Sequence, residues 1–60
     1  MKFKYKDKVK GNSDFYGEFE GEIYDYSLEG GIKYKLKVTK GRAIREYLTF
    51  KEDELEICNT

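Results

Sequence analysis

The chain has 60 residues, and its 12 Lys plus Arg are matched by 12 Asp plus Glu, so it carries no net charge. At this length a single domain, residues 1–60, buries only about 60% of its extended-chain surface, and its core holds roughly a dozen side chains with no catalytic cavity beside them. Histidine is absent, which removes the commonest general base and metal ligand.

Charged residues make up 40% of the chain. Their balance, together with six Tyr and four Phe, argues for a folded domain, because disorder goes with low hydrophobicity and high net charge. Aromatics at this density suit strands. The one cysteine, Cys58, forms no internal disulfide and no zinc site. It has no histidine to activate it as a nucleophile. With no secretory apolar region and no run of about 18 apolar residues, the expected location is cytoplasmic, in a bacterium or in the host of a phage.

Residues 1–10 alternate lysine with Phe3, Tyr5 and Val9. Asp7 interrupts the apolar row, which predicts a turn and then a short strand over Lys8 to Lys10, its lysines on a solvated edge. Gly11-Asn12-Ser13-Asp14 reads as turn chemistry, opening a long excursion in which Phe15 tucks inward and Tyr16 stays partly exposed. Gly17 to Tyr26 then alternates Phe19, Gly21 and Ile23 inward with Glu18, Glu20 and Glu22 outward, the period of a half-buried strand. Gly21 in mid-strand predicts a bulge or a sharp bend where a Cβ would collide with a crossing strand.

Ser27 to Gly31 is the hairpin connection, with Gly30 and Gly31 suited to positive φ. Lys33 to Val38 returns with Tyr34, Leu36 and Val38 inward and lysines outward. The expected register sets Tyr24 opposite Lys33, Glu22 opposite Lys35 and Glu20 opposite Lys37. Thr39 to Arg42 is a second turn. Ile44 to Phe50 is a further strand, with Ile44, Leu48 and Phe50 inward and Arg45, Tyr47 and Thr49 outward. Lys51 to Glu54 reads as one helical or 3-10 turn, Leu55 to Ile57 as a short last strand, and Cys58 to Thr60 as a fraying end. The whole is an all-β, five-stranded SH3-like small barrel with a short 3-10 turn before the last strand.

Asp7-Lys8-Val9, then Gly17 and Gly21 four apart and Ile23, resemble the opening of SH3-like barrels of the KOW and Tudor type. Thr49 to Leu55 resembles their closing strand and 3-10 turn. The Phe-Lys-Glu-x-Glu-Leu ending of residues 50–55 is also similar to that of small phage-encoded YorP-like proteins. The resemblance implies a non-catalytic binding domain. It does not carry over an RNA role, because Glu18, Glu20 and Glu22 stand where RNA-contacting KOW domains are basic. The signalling SH3 identity is rejected: Tyr24-Asp25-Tyr26 lies in the wrong part of the chain and there is no Trp for a proline-rich groove.

Charge falls in blocks: +4 over residues 1–10, −6 over 11–31, +6 over 32–51 and −4 over 52–60. Most of it is expected to neutralise across neighbouring strands, leaving Lys37, Lys40, Arg42 and Arg45 as candidate anion or nucleic-acid contacts. Glu52-Asp53-Glu54 lacks the spacing of a calcium loop and reads as favourable charge at a helical N-terminus. The principal expectation is a protein partner docked on surface tyrosines Tyr16, Tyr24, Tyr26 and Tyr47, which offer contact area at little rotamer cost. A nucleic-acid ligand is the alternative. No enzyme activity, metal, cofactor or membrane association is expected, and the assembly is read as a monomer or weak dimer.

Overall fold

The computed structural model describes residues 2–58, and these are all-β. Five strands, β1 (Lys8–Ser13), β2 (Gly17–Ser27), β3 (Lys33–Lys40), β4 (Tyr47–Lys51) and β5 (Leu55–Ile57), form one antiparallel sheet in the order β4-β3-β2-β1-β5. A 3-10 turn, Glu52–Glu54, joins β4 to β5. The sheet is not closed, since β4 and β5 are its two edges. It is nevertheless strongly curled. Phe19 of β2 stacks on Phe50 of β4 with ring centroids 4.5 Å apart, whereas alternate strands of a flat sheet lie about 9–10 Å apart.

Period-two alternation places the core as the sequence implies. Phe19 and Ile23 of β2 are buried with Tyr34, Leu36 and Val38 of β3. Val9 of β1 and Leu55 of β5 meet them from the other side of the curl. Each such side chain, fully buried, contributes about 1.5–3 kcal/mol before conformational entropy is counted. Gly21 lies where the sheet bends: a Cβ there would fall 2.4 Å from Leu36 Cδ1 and 2.9 Å from Lys37 O, and the β2–β3 pairing shifts register between Glu20 and Gly21.

The hairpin register differs from the expected one. Glu22 faces Lys37, Ile23 faces Leu36, and Ser27 faces Lys33. The buried face is as read, but β3 is displaced along β2. The physical reason is weak discrimination: exposed charge pairs contribute only about 0.2–1 kcal/mol each, and two irregularities restore the pairs a simple slip would lose. The shift at Glu20/Gly21 sets Glu20 opposite Lys40, and a second between Ile23 and Asp25 sets Asp25 opposite Lys35.

Three loop readings are also corrected. Residues 11–13 continue β1 to Ser13, so the β1–β2 connection is a tight turn over residues 14–16 and not a long excursion. Gly11 lies within the strand and serves close packing there and not a turn: a Cβ would meet the Phe19 ring at 2.6 Å and Glu54 O at 2.9 Å. In that turn the roles of the aromatics are exchanged. Phe15 is 78% exposed, while Tyr16 packs against the core, its N–H donating to Ser13 Oγ at 2.8 Å. Near β4 the inward position belongs to Ala43, and Ile44 is 52% exposed. The strand starts only at Tyr47, because residues 41–45 form a turn that Arg45 closes at φ 75°. Ile44→Ser is therefore expected to change stability by no more than about 0.5 kcal/mol, read from the urea midpoint, whereas an inward Ile44 would make the same change far more costly.

The amino-terminal segment is tied to the 3-10 turn by one buried hydroxyl. Phe3 N–H donates to Tyr34 Oη at 3.2 Å, Tyr34 O–H donates to Glu52 Oε2 at 2.6 Å, and Lys2 N–H donates to the same carboxylate oxygen at 2.8 Å. At the other end Cys58 does not fray: its N–H donates to Lys8 O at 2.8 Å. Asn59 and Thr60, expected to fray with it, lie outside the described residues.

Candidate functional site

Two of the four candidate tyrosines come together. The extra residue at the β2 irregularity is Tyr24, which has no cross-strand partner between Ile23↔Leu36 and Asp25↔Lys35. A bulge re-aims its side chain, and here it leans over β3 toward β4. The Tyr24 and Tyr47 rings lie 5.0 Å apart at 49°, both exposed on the outer face. Lys35, between them on β3, places Nζ 5.9 Å from the Tyr24 centroid, within reach of a cation–π contact. The cluster is thus a pair of amphipathic rings with a cation at its margin, built from three neighbouring strands.

Tyr26 and Tyr16 are not part of it. Tyr26 pairs with core residue Tyr34, and directly opposed residues share a face, so beyond the bulge Tyr26 leaves the sheet on the inner side, at its rim. Tyr16 sits at the β1–β2 turn, half-buried and edge-on to Phe15 at 4.7 Å. The expectation that Tyr24 and Tyr26 share one face fails because the bulge reverses the alternation between them. The alternating pattern gives Lys35 only a cross-strand acid, and nothing local in the sequence marks its place beside Tyr24.

The candidate basic residues are divided too. Lys40 Nζ lies 3.8 Å from Glu20 Oε2, the one ion pair among the described residues. It borders an open groove of about 660 Å³ whose rim also carries Glu18, Glu54 and Glu56. Lys40 therefore has a partner and an acidic neighbourhood, which disfavours phosphate there. Lys37 is exposed on β3 between Glu22 and Tyr47. Arg42 and Arg45 stand exposed on the β3–β4 turn, with no ion pair among the described residues.

In the 3-10 turn Glu54 Oε1 accepts the Lys51 N–H at 2.8 Å and Glu52 is committed to Tyr34. The Tyr34 hydrogen bond, helped by the Lys2 N–H, holds the Glu52 carboxyl below the usual carboxylate range. Burial, with the Glu52 hydrogen bond, pushes Tyr34 above the usual tyrosine value. Cys58 Sγ lies 3.6 Å from Glu20 Oε1. Among the described residues no three His, Cys, Asp or Glu side chains gather as a metal-binding group, and no helix is long and apolar enough to cross a membrane.

Compared with protein-family models, curated proteins and solved structures, the chain matches none.

Proposed function

We infer that this chain is a non-catalytic binding module that docks a protein partner on the outer face of β2, β3 and β4. The observation that carries this reading is the Tyr24–Tyr47 ring pair with Lys35 beside it. Tyrosine supplies rigid, amphipathic contact area and is enriched where protein surfaces meet. A bulge that turns one exposed ring onto another on the face away from the core adds nothing to the core. The sheet itself is read as an SH3-like small barrel. Its strand order, the 3-10 turn before β5 and the Phe19–Phe50 stack support that reading, alongside the KOW- and Tudor-type turns at Asp7 to Ile23. The YorP-like ending suggests a phage-encoded domain at work in a bacterial cytoplasm, on a host or phage complex.

Arg42 and Arg45, exposed and without an ion pair among the described residues, favour a nucleic-acid ligand as the second reading. Salt separates the two. Phosphate binding through six contacts weakens by about 10³-fold or more between 50 and 200 mM salt, whereas an aromatic contact changes little. Partner retention on the immobilised domain is expected to weaken far less than this over the same range and to be lost in Tyr24→Ser/Tyr47→Ser. A salt-sensitive oligonucleotide shift abolished by Arg42→Glu/Arg45→Glu, with retention unaffected by the tyrosine changes, would replace the protein-partner reading with the nucleic-acid one.

A further inference from the structure

An antiparallel strand spends the N–H and C=O groups of alternate residues on its neighbour and aims the others away. Between β3 and β4 the phase is set at both ends. Val38 N–H donates to Glu46 O at 2.9 Å and Glu52 N–H donates to Ile32 O at 3.2 Å. The unbroken register between them makes Tyr34↔Phe50 and Leu36↔Leu48 the bonded pairs. Tyr47, Thr49 and Lys51 therefore turn their backbone groups outward, along the side of β4 where the sheet ends. Glu54 covers the Lys51 N–H. Among the described residues no group takes the N–H of Tyr47 or Thr49.

The side chains around this edge specify a charge. On the outer face Lys37 stands opposite Tyr47, Lys35 opposite Thr49 and Lys33 opposite Lys51. The acids that face this lysine row, Glu22 and Asp25, belong to β2 on its far flank, and β4 itself has no acid. On the inner side Leu48 and Phe50 are only half-buried.

We propose that β4 accepts an added strand, and that its occupant is an extended segment of a partner protein with acidic residues at alternate positions and apolar residues between them. The carboxylates stand on the outer face beside Tyr47, Thr49 and Lys51, the same face as the lysine row one strand further in. The apolar residues extend the cover of Leu48 and Phe50, and the outward groups of Tyr47 and Thr49 supply the ladder. β2 is the internal precedent: it meets the other flank of β3 with Glu22 outside and Phe19 and Ile23 inside. A second copy of this chain does not fit, because β4 against β4 sets two lysine rows on one face with no acid between them. This inference rests on the reading that the Tyr24–Tyr47 face is the docking surface, and it adds the conformation and charge of what docks.

The test uses a nine-residue synthetic peptide of alternating Glu and Val, its Lys/Val counterpart, and the whole chain. The acidic peptide is expected to bind saturably, to slow hydrogen exchange at the Tyr47 and Thr49 amides, and to bind about tenfold or more weakly to Thr49→Pro. Proline there removes an outward donor that β3 does not use. Thr49→Val, which keeps the donor, is expected to retain binding. The exchange measurement on the unaltered chain decides the matter even where the proline variant fails to fold. Absence of saturable binding, equal binding of the Lys/Val peptide, or unchanged exchange at Tyr47 and Thr49 overturns the proposal. Binding lost in Tyr47→Ser but unaffected by Thr49→Pro overturns strand addition alone and leaves the tyrosine-face reading standing. Binding indifferent to both changes removes both.

Discussion

Gly21→Ala is expected to lower the melting temperature by about 10 °C or more, from a loss of roughly 1–3 kcal/mol in a domain this small. The added methyl has two obstacles. Leu36 Cδ1, at 2.4 Å, belongs to a side chain that can change rotamer, but Leu36 is fully buried and its new position must be found inside the core. Lys37 O, at 2.9 Å, is backbone, and moving it disturbs the β2–β3 ladder at the bend. A total stability of a few kcal/mol is all that a chain of this length commonly has, so the variant stands close to unfolding at physiological temperature. Thermal melting by circular dichroism reads the shift. A melting temperature within 2–3 °C of the parent would mean that the sheet does not bend at Gly21.

Tyr34→Phe is expected to cost about 1–3 kcal/mol, because it strips the buried Phe3 N–H of its acceptor and leaves Glu52 without its buried donor. Ring packing is unchanged, so the loss belongs to the hydroxyl. Its pH dependence has a definite sign. Glu52 is held below its unfolded value, so its contribution is fully present above about pH 4.3 and fades as pH falls through the lower folded value. Tyr34 is raised above its unfolded value, so its contribution is intact below about pH 10 and fades as pH rises toward the folded value. Urea midpoints at pH 3, 5, 7 and 10.5 should show the gap between the parent and Tyr34→Phe widest at pH 5 and 7 and narrower at both extremes. A gap that does not vary with pH would dissociate Glu52 from the hydroxyl.

Both effects involve residues whose sequence signals differ in kind. Gly21 was legible, since a glycine within Phe19-x-Gly21-x-Ile23 has few structural reasons except a close approach. Tyr34 was legible as core from its parity with Leu36 and Val38, but its hydroxyl's partners, Phe3 and Glu52, are 31 and 18 positions away and no periodicity points to them. The same limit governs the register. Glutamates at 18, 20 and 22 facing lysines at 33, 35 and 37 are nearly self-similar under a two-residue slip, and the bulges that select the actual pairing arise from sheet curvature. Residues in turns follow backbone geometry and not alternation, which is why Phe15 and Tyr16 exchange roles and Ala43 takes the inward place expected of Ile44. The meeting of Tyr24 with Tyr47 across an intervening strand is a product of that curvature and one extra residue, so which of the four tyrosines come together was not visible in the sequence.

Nuclear Overhauser contacts between aromatic rings bear on all of this at once. The arrangement described here predicts ring-to-ring contacts for Tyr24 with Tyr47 and for Phe19 with Phe50, together with backbone contacts of Ile23 with Leu36 across the hairpin. A spectrum in which Tyr24 lies beside Lys33, Tyr26 shares the Tyr47 environment and Phe19 shows no contact with Phe50 would mean that the sheet is neither bulged nor curled as stated, and the docking face built on it would go with it.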